Sequence, residues 1–172
     1  YIANATGSSS SGASNRAGIK NDTNGHLSSS SNTFNLGDST MTGIENLGNL
    51  SDSGSTFNIG WSNTTPYAWH PAYNSSGISN VGTLSVSGGS TFNINTHDTN
   101  GIVNNTTNAT LNLYNATFNN ESYNTIGIKN TGGTLTLLGN SGTNKSKFDV
   151  KSNNSDGIYS TTSVNVNSNS NP

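Results

Sequence analysis

One motif recurs along the chain and limits what it can fold into. Residues 77–94 read GISNVGTLSVSGGSTFNI, or G-I-x-N-x-G-x-L, a short glycine-containing gap, then T-F-N-I. Copies follow Gly43 (GIENLGNL…STFNIG), Gly101 (GIVNN…LNLYNATFN) and Gly127 (GIKNTGGTLTLL…KFDV), with weaker ones after Gly18 and Gly157. A self-similar period of 20–50 residues is the signature of a repeat architecture, in which each unit buries its apolar face only against its neighbours.

The Gly-Ile pairs begin at 18, 43, 77, 101, 127 and 157, giving intervals of 25, 34, 24, 26 and 30. The distance from each phenylalanine to the next isoleucine is steadier. Phe34 to Ile44, Phe92 to Ile102, Phe118 to Ile128 and Phe148 to Ile158 are each 10 residues, whereas Phe57 to Ile78 is 21. The long interval therefore reflects one insertion in one connection. The interval of 30 holds another, between Leu137 and Phe148.

Apolar residues in each copy alternate with polar ones, the period of a half-buried strand. The inward set is Ile19, Leu27, Phe34 and Leu36, then Ile44, Leu50, Phe57 and Ile59, then Ile78, Leu84, Val86, Phe92 and Ile94. It continues with Ile102, Leu111, Leu113, Phe118, Ile128, Leu135, Leu137, Phe148, Val150, Ile158, Val164 and Val166. Each copy thus holds three short strands separated by glycine- or asparagine-bearing corners. One coil buries too few apolar side chains to offset the entropy of ordering its backbone, so coils must stack. The expected fold is all-β: a right-handed parallel β-helix (β-solenoid) of about five to six coils of three short strands.

Residues 1–172 are read as a single domain, with 1–16 a cap or incomplete coil, 17–158 the repeats, 61–76 an inserted loop and 159–172 an incomplete last coil. Both ends fall in repeat-like or Ser/Asn-rich sequence, which suggests a piece of a larger surface protein.

Asn21, Asn46, Asn80, Asn104 and Asn130 share the parity of the isoleucines and are expected to form an amide ladder along the stack. The glycine before each isoleucine is expected to turn a corner with φ > 0. The outward pairs Thr33/Asn35, Thr56/Asn58, Thr91/Asn93 and Thr117/Asn119 would stack into a flat stripe, either a solvated β-face or a polar template for ice or an extended glycan.

Only 8% of residues are charged and the net charge is −2, against the basic stripe that nucleic acid demands. No apolar run reaches the length of a membrane-spanning helix. With no cysteine there is neither a disulfide nor a thiolate metal site. His26, His70 and His97 fall at different offsets and suggest no metal site. No cofactor or catalytic residue is expected. Asp22, Glu45 and Asp52 are the nearest approach to the paired carboxylates of a glycoside hydrolase. A lyase would need a base, and the only arginine is Arg16, near the start of the chain. Lys145, Lys147 and Lys151, with Lys129 a coil below, form a small basic cluster.

The insertion differs in kind from the repeats. WSNTTPYAWHPAYNSS (61–76) holds both tryptophans and two of the six tyrosines. Trp and Tyr rings stack on the C–H faces of sugars, and functional residues concentrate on loops carried by rigid scaffolds. Trp61, Tyr67, Trp69, His70 and Tyr73 are the candidate ligand-binding residues, with Asn63, Thr65 and Asn74 beside them. The alternative is that these aromatics fold back to cover the side of the solenoid.

The motifs at 43–60 and 77–94 resemble the pectate lyase-like adhesive domains of cell-wall-anchored surface proteins in Gram-positive lactic-acid bacteria, a resemblance spanning residues 17–158. It implies an extracellular β-helix that keeps the lyase scaffold but serves adhesion to host or environmental surfaces. The expectation drawn is a non-catalytic adhesin module that binds host epithelial or matrix carbohydrate, a monomer without membrane insertion. Anchoring to the cell wall would come from regions outside this sequence. The competing readings are a polysaccharide-degrading β-helix enzyme and a passive stalk or ice-binding rod.

Overall fold

A computed structural model of the protein describes residues 2–5, 16–36, 41–60, 75–139 and 145–167. The described residues contain no helix and eighteen strands, three to a coil. The lowest floor supplies β1 (Ile2–Ala5), β2 (Arg16–Asn21) and β3 (His26–Ser30). The next two supply β4 (Thr33–Leu36), β5 (Met41–Asn46) and β6 (Asn49–Ser53), then β7 (Thr56–Ile59), β8 (Ser76–Asn80) and β9 (Thr83–Ser87). Above them lie β10 (Ser90–Ile94), β11 (Asn100–Asn104) and β12 (Thr110–Tyr114), then β13 (Ala116–Asn120), β14 (Ile126–Asn130) and β15 (Thr134–Leu138). The top described floor holds β16 (Lys147–Val150), β17 (Asp156–Ser160) and β18 (Val164–Asn167).

Strands three apart in sequence pair in parallel, giving three six-stranded sheets. Sheet A runs β1-β4-β7-β10-β13-β16, sheet B runs β2-β5-β8-β11-β14-β17, and sheet C runs β3-β6-β9-β12-β15-β18. The fold is the β-solenoid that the repeats predict. Ile2–Ala5 pair with Thr33–Leu36, so part of the 1–16 segment belongs to a coil. The coil after the insertion resumes with the buried Ser75 and with β8 at Ser76, slightly before the boundary at 76 drawn from sequence.

Register places like above like. Ile19, Ile44, Ile78, Ile102, Ile128 and Ile158 form one column in sheet B. Phe34, Phe57, Phe92, Phe118 and Phe148 form another in sheet A, each ring stacked on the next at 4.6–4.9 Å and within 7° of parallel. A full face-to-face stack is not the preferred geometry of an isolated aromatic pair. Here the strand spacing of about 4.8 Å imposes it. Leu27, Leu50, Leu84, Leu111, Leu135 and Val164 make the corresponding column in sheet C.

The amide ladder is present and lies inside. Asn21 donates through Nδ2 to Asn46 Oδ1 at 2.7 Å, Asn46 to Asn80, Asn80 to Asn104 and Asn104 to Asn130 at 2.8 Å. Each of these four Nδ2 groups also donates to a backbone carbonyl at the start of the neighbouring sheet C strand: Asn49, Thr83, Thr110 and Thr134. The ladder ends where Asn130 donates to the hydroxyls of Ser160 and Thr162.

The glycines before the isoleucines are not corners. Gly43, Gly77, Gly101 and Gly127 lie within or at the start of sheet B strands, and the positive-φ glycines are instead Gly54, Gly60, Gly88 and Gly89. A Cβ on Gly43, Gly77, Gly101 or Gly127 would stand 2.5–2.7 Å from the carbonyl oxygen of the corresponding glycine one coil on. Close approach of successive backbones, rather than handedness, demands glycine at these positions.

Besides the ladder, two inward positions carry a polar side chain with an unpartnered oxygen. Asp52 pairs with Val86 above it and is fully buried; its Oδ2 accepts from Ser90 Oγ at 2.7 Å, while Oδ1 has no partner. Asn120 follows Ile94 in the column after phenylalanine and is also fully buried, with Nδ2 donating to the Asp156 carbonyl and Oδ1 unpartnered. Val150, Val164 and Val166 hold inward register positions but are exposed, Val166 by 74%, because no described coil covers the top floor.

Replacing Asn80 by alanine should cost about 3 kcal/mol, because buried amide and carbonyl groups on either side lose partners. Urea unfolding at neutral pH measures it. Asp52→Val, which copies the next coil, should instead raise stability by about 1–3 kcal/mol in the same assay, since Ser90 Oγ keeps the Ser87 carbonyl at 2.9 Å.

Candidate functional site

Trp61, Tyr67, Trp69, His70 and Tyr73 lie outside the described residues, as do Asn63, Thr65 and Asn74. The two ends that hold this segment are described. Gly60 donates its N–H to the Leu36 carbonyl at 2.9 Å, with φ at 78°, and the Thr96 side chain of the next coil fills the space where a Cβ would sit. Ser75 is buried, and its carbonyl accepts from Asn100 N at 2.9 Å. The segment therefore leaves and rejoins the coil at the corner between sheets A and B.

On the three floors above, the same corner is short and regular. It is made by residues 95–99, 121–125 and 151–155, entered through ladder bonds of 3.0 Å from Asn95, Glu121 and Lys151 to the floor below. Each corner turns on a left-handed residue: Asp98 (φ 59°), Asn124 (φ 54°) and Asn154 (φ 54°). Asp and Asn tolerate this conformation better than other non-glycine residues. Thr99 and Thr125 close the first two corners by donating to the Thr96 and Ser122 carbonyls at 2.6 and 2.9 Å.

This stacking assembles a polar cluster on the outer edge. His97 Nδ1 lies 2.9 Å from Asp98 Oδ2, and Asn124 Nδ2 donates to Asp98 Oδ1 from the floor above. The hydrogen bond from His97, followed by that from Asn124, holds the Asp98 carboxyl below its ordinary range against the opposing effect of desolvation. Tyr123 is 53% exposed, and Asn154 Nδ2 donates to its phenol oxygen at 2.8 Å. Beside the cluster Lys151 meets Glu121 at 2.6 Å. That hydrogen bond and the Glu121 charge raise the lysine pKa.

The other sequence candidates separate. Asp52 is turned into the interior, Glu45 lies on the outer face of sheet B against Lys20 at 3.8 Å, and Asp22 is exposed after β2. These three do not form a facing pair. Lys147 and Lys151 each lie 3.8 Å from Asp149, which bridges the basic cluster, and Lys129 sits on sheet B away from it. His26 lies on sheet C and His97 at the A–B corner, while His70 is outside the described residues. Among the described residues no group of three His, Cys, Asp or Glu side chains could hold a metal ion. The outer stripe of sheet A is a second amide ladder, with Asn58, Asn93 and Asn119 each donating at 2.8 Å to the asparagine below.

Sequence reasoning located the insertion but missed Asp98, Tyr123, Asn124 and Asn154. The constant count of ten residues between phenylalanine and isoleucine carries the signal, since it superposes THDT, SYNT and SNNS on one corner. Comparison with protein-family models, curated proteins and solved structures finds no match.

A depressed Asp98 pKa means that the ionised carboxyl favours the folded state. Its contribution is present above the ordinary carboxylate pKa and is lost as pH falls through the folded value. Asp98→Asn, which suits the left-handed backbone but carries no charge, should lower Tm at pH 7, and the gap from the parent should narrow as pH is taken below about 4. Thermal melts across that range measure it.

Proposed function

We propose that the chain is a non-catalytic adhesin module of a bacterial cell surface that binds host epithelial or matrix carbohydrate. The observation that carries this reading is the corner between sheets A and B. A segment holding both tryptophans is moored there at Gly60 and Ser75, two floors below an exposed tyrosine whose phenol accepts from Asn154 and whose chain neighbour Asn124 bonds the Asp98 carboxylate. Aromatic faces with convergent polar groups are the chemistry of sugar recognition. The resemblance of the repeats to adhesive domains of Gram-positive surface proteins points the same way. Separation of Asp22, Glu45 and Asp52 supports binding over hydrolysis, which needs two carboxyl groups flanking one bond.

The double variant Trp61→Ala, Trp69→Ala should lose binding on a glycan array and to epithelial cells while its thermal melt stays at the parent value. Unchanged binding would overturn the assignment of the insertion as the ligand contact.

A further inference from the structure

We propose that His97, Asp98, Tyr123, Asn124 and Asn154 form a subsite of their own for a neutral sugar ring. The inference rests on the carbohydrate reading above, but on different residues.

Tyr123 is the first reason. Five large apolar side chains are exposed among the described residues: Tyr123, Val150, Tyr159, Val164 and Val166. The valines belong to the uncovered top floor, and Tyr159 lies on the sheet B face, in register with Lys129. Tyr123 alone of the five stands at a corner whose every floor is backed by ladder hydrogen bonds. Its phenol oxygen is held by Asn154 at 2.8 Å, so the ring is presented in one orientation before any ligand arrives. A ring fixed in advance loses little freedom on stacking, which favours binding.

The polar groups beside the ring are the second reason. Asp98 accepts one bond on each oxygen, from His97 and from Asn124. An ionised carboxylate has about four acceptor positions, so each oxygen retains capacity for a hydroxyl donor. Tyr123 and Asn124 are consecutive in the chain, and Asn124 reaches down to Asp98 on the floor below while the Tyr123 phenol is bonded from the floor above, so ring and carboxylate border the same stretch of the corner. Vicinal hydroxyls pointed at Asp98 while the C–H face of the ring lies on Tyr123 would use both features at once.

Charge selects the class of sugar. Asp98 is held ionised at the centre of the cluster. The nearby lysines are bridged, Lys151 to Glu121 and Asp149 and Lys147 to Asp149. A uronic or sulfated sugar would bring its anion against Asp98, and like charges at close range repel. A neutral hexose carries no such conflict.

The test titrates the full chain with neutral disaccharides (cellobiose, lactose and mannobiose) and with digalacturonic acid, following the side-chain amide signals of Asn124 and Asn154 by NMR. A neutral disaccharide should shift both signals, and digalacturonic acid should not. Tyr123→Ala and Asp98→Asn should each weaken the neutral sugar by about tenfold, while Tyr123→Phe keeps the ring and most of the affinity. Tyr123→Phe also separates loss of the ring from loss of the Asn154 bond. The Trp61→Ala, Trp69→Ala variant should retain these shifts. If that variant loses all binding while Tyr123→Ala loses none, this subsite falls and the insertion remains the ligand contact. Binding of digalacturonic acid alone would overturn the neutral-sugar assignment. If no sugar in the set perturbs either amide, the subsite is overturned whatever the array shows for the tryptophans.

Discussion

The buried amide ladder is the interaction on which the rest of this structure depends. Asn21, Asn46, Asn80, Asn104 and Asn130 are each at most 7% exposed, so their amides rely on one another, on nearby backbone and, at the top, on the Ser160 and Thr162 hydroxyls. A slip of one residue in any sheet B strand would reverse its faces and strand two amides without partners. Hydrophobic columns tolerate small shifts, whereas a hydrogen-bonded column does not. The ladder therefore fixes the vertical alignment that lets each ring from Phe34 to Phe148 stack within 4.9 Å of the next. The same alignment brings Asp98 beneath Asn124, and hence gives the corner its chemistry.

Much of this was legible in the sequence, and the exceptions share a cause. Isoleucine, phenylalanine and leucine columns could be read because each copy repeats the same residue at the same parity. The role of Gly43, Gly77, Gly101 and Gly127 could not, since the crowding atom belongs to the next coil and no single strand contains it. Asp52 and Asn120 present a conflict between parity, which turns them inward, and polarity, which argues for the surface. Parity won because the flanking ladder bonds cannot be given up for one side chain. Within the candidate site, the aromatic segment stood out by composition. Asp98, Tyr123 and Asn124 did not, because residues so common in this chain become distinctive only when their floors are superposed.

Faces and corners of the solenoid divide the work. The outer stripe of sheet A satisfies itself, as each of Asn58, Asn93 and Asn119 bonds the asparagine below. The corner between sheets A and B leaves its polar groups at the edge, held by left-handed backbone at Asp98, Asn124 and Asn154. Strand faces supply rigidity and corners supply variety, the usual split between scaffold and loop.

The mooring at Gly60 and Ser75 has a consequence for how such a protein can change over generations. Both residues keep the vertical bonds that a short corner would have, to Leu36 below and from Asn100 above. The described columns run on across that stretch, with Phe57 under Phe92 and Ile44 under Ile78. Lengthening, shortening or rewriting that stretch should leave the coil count and the inner alignment untouched, so selection can exchange one inserted segment for another while inheriting the rod intact.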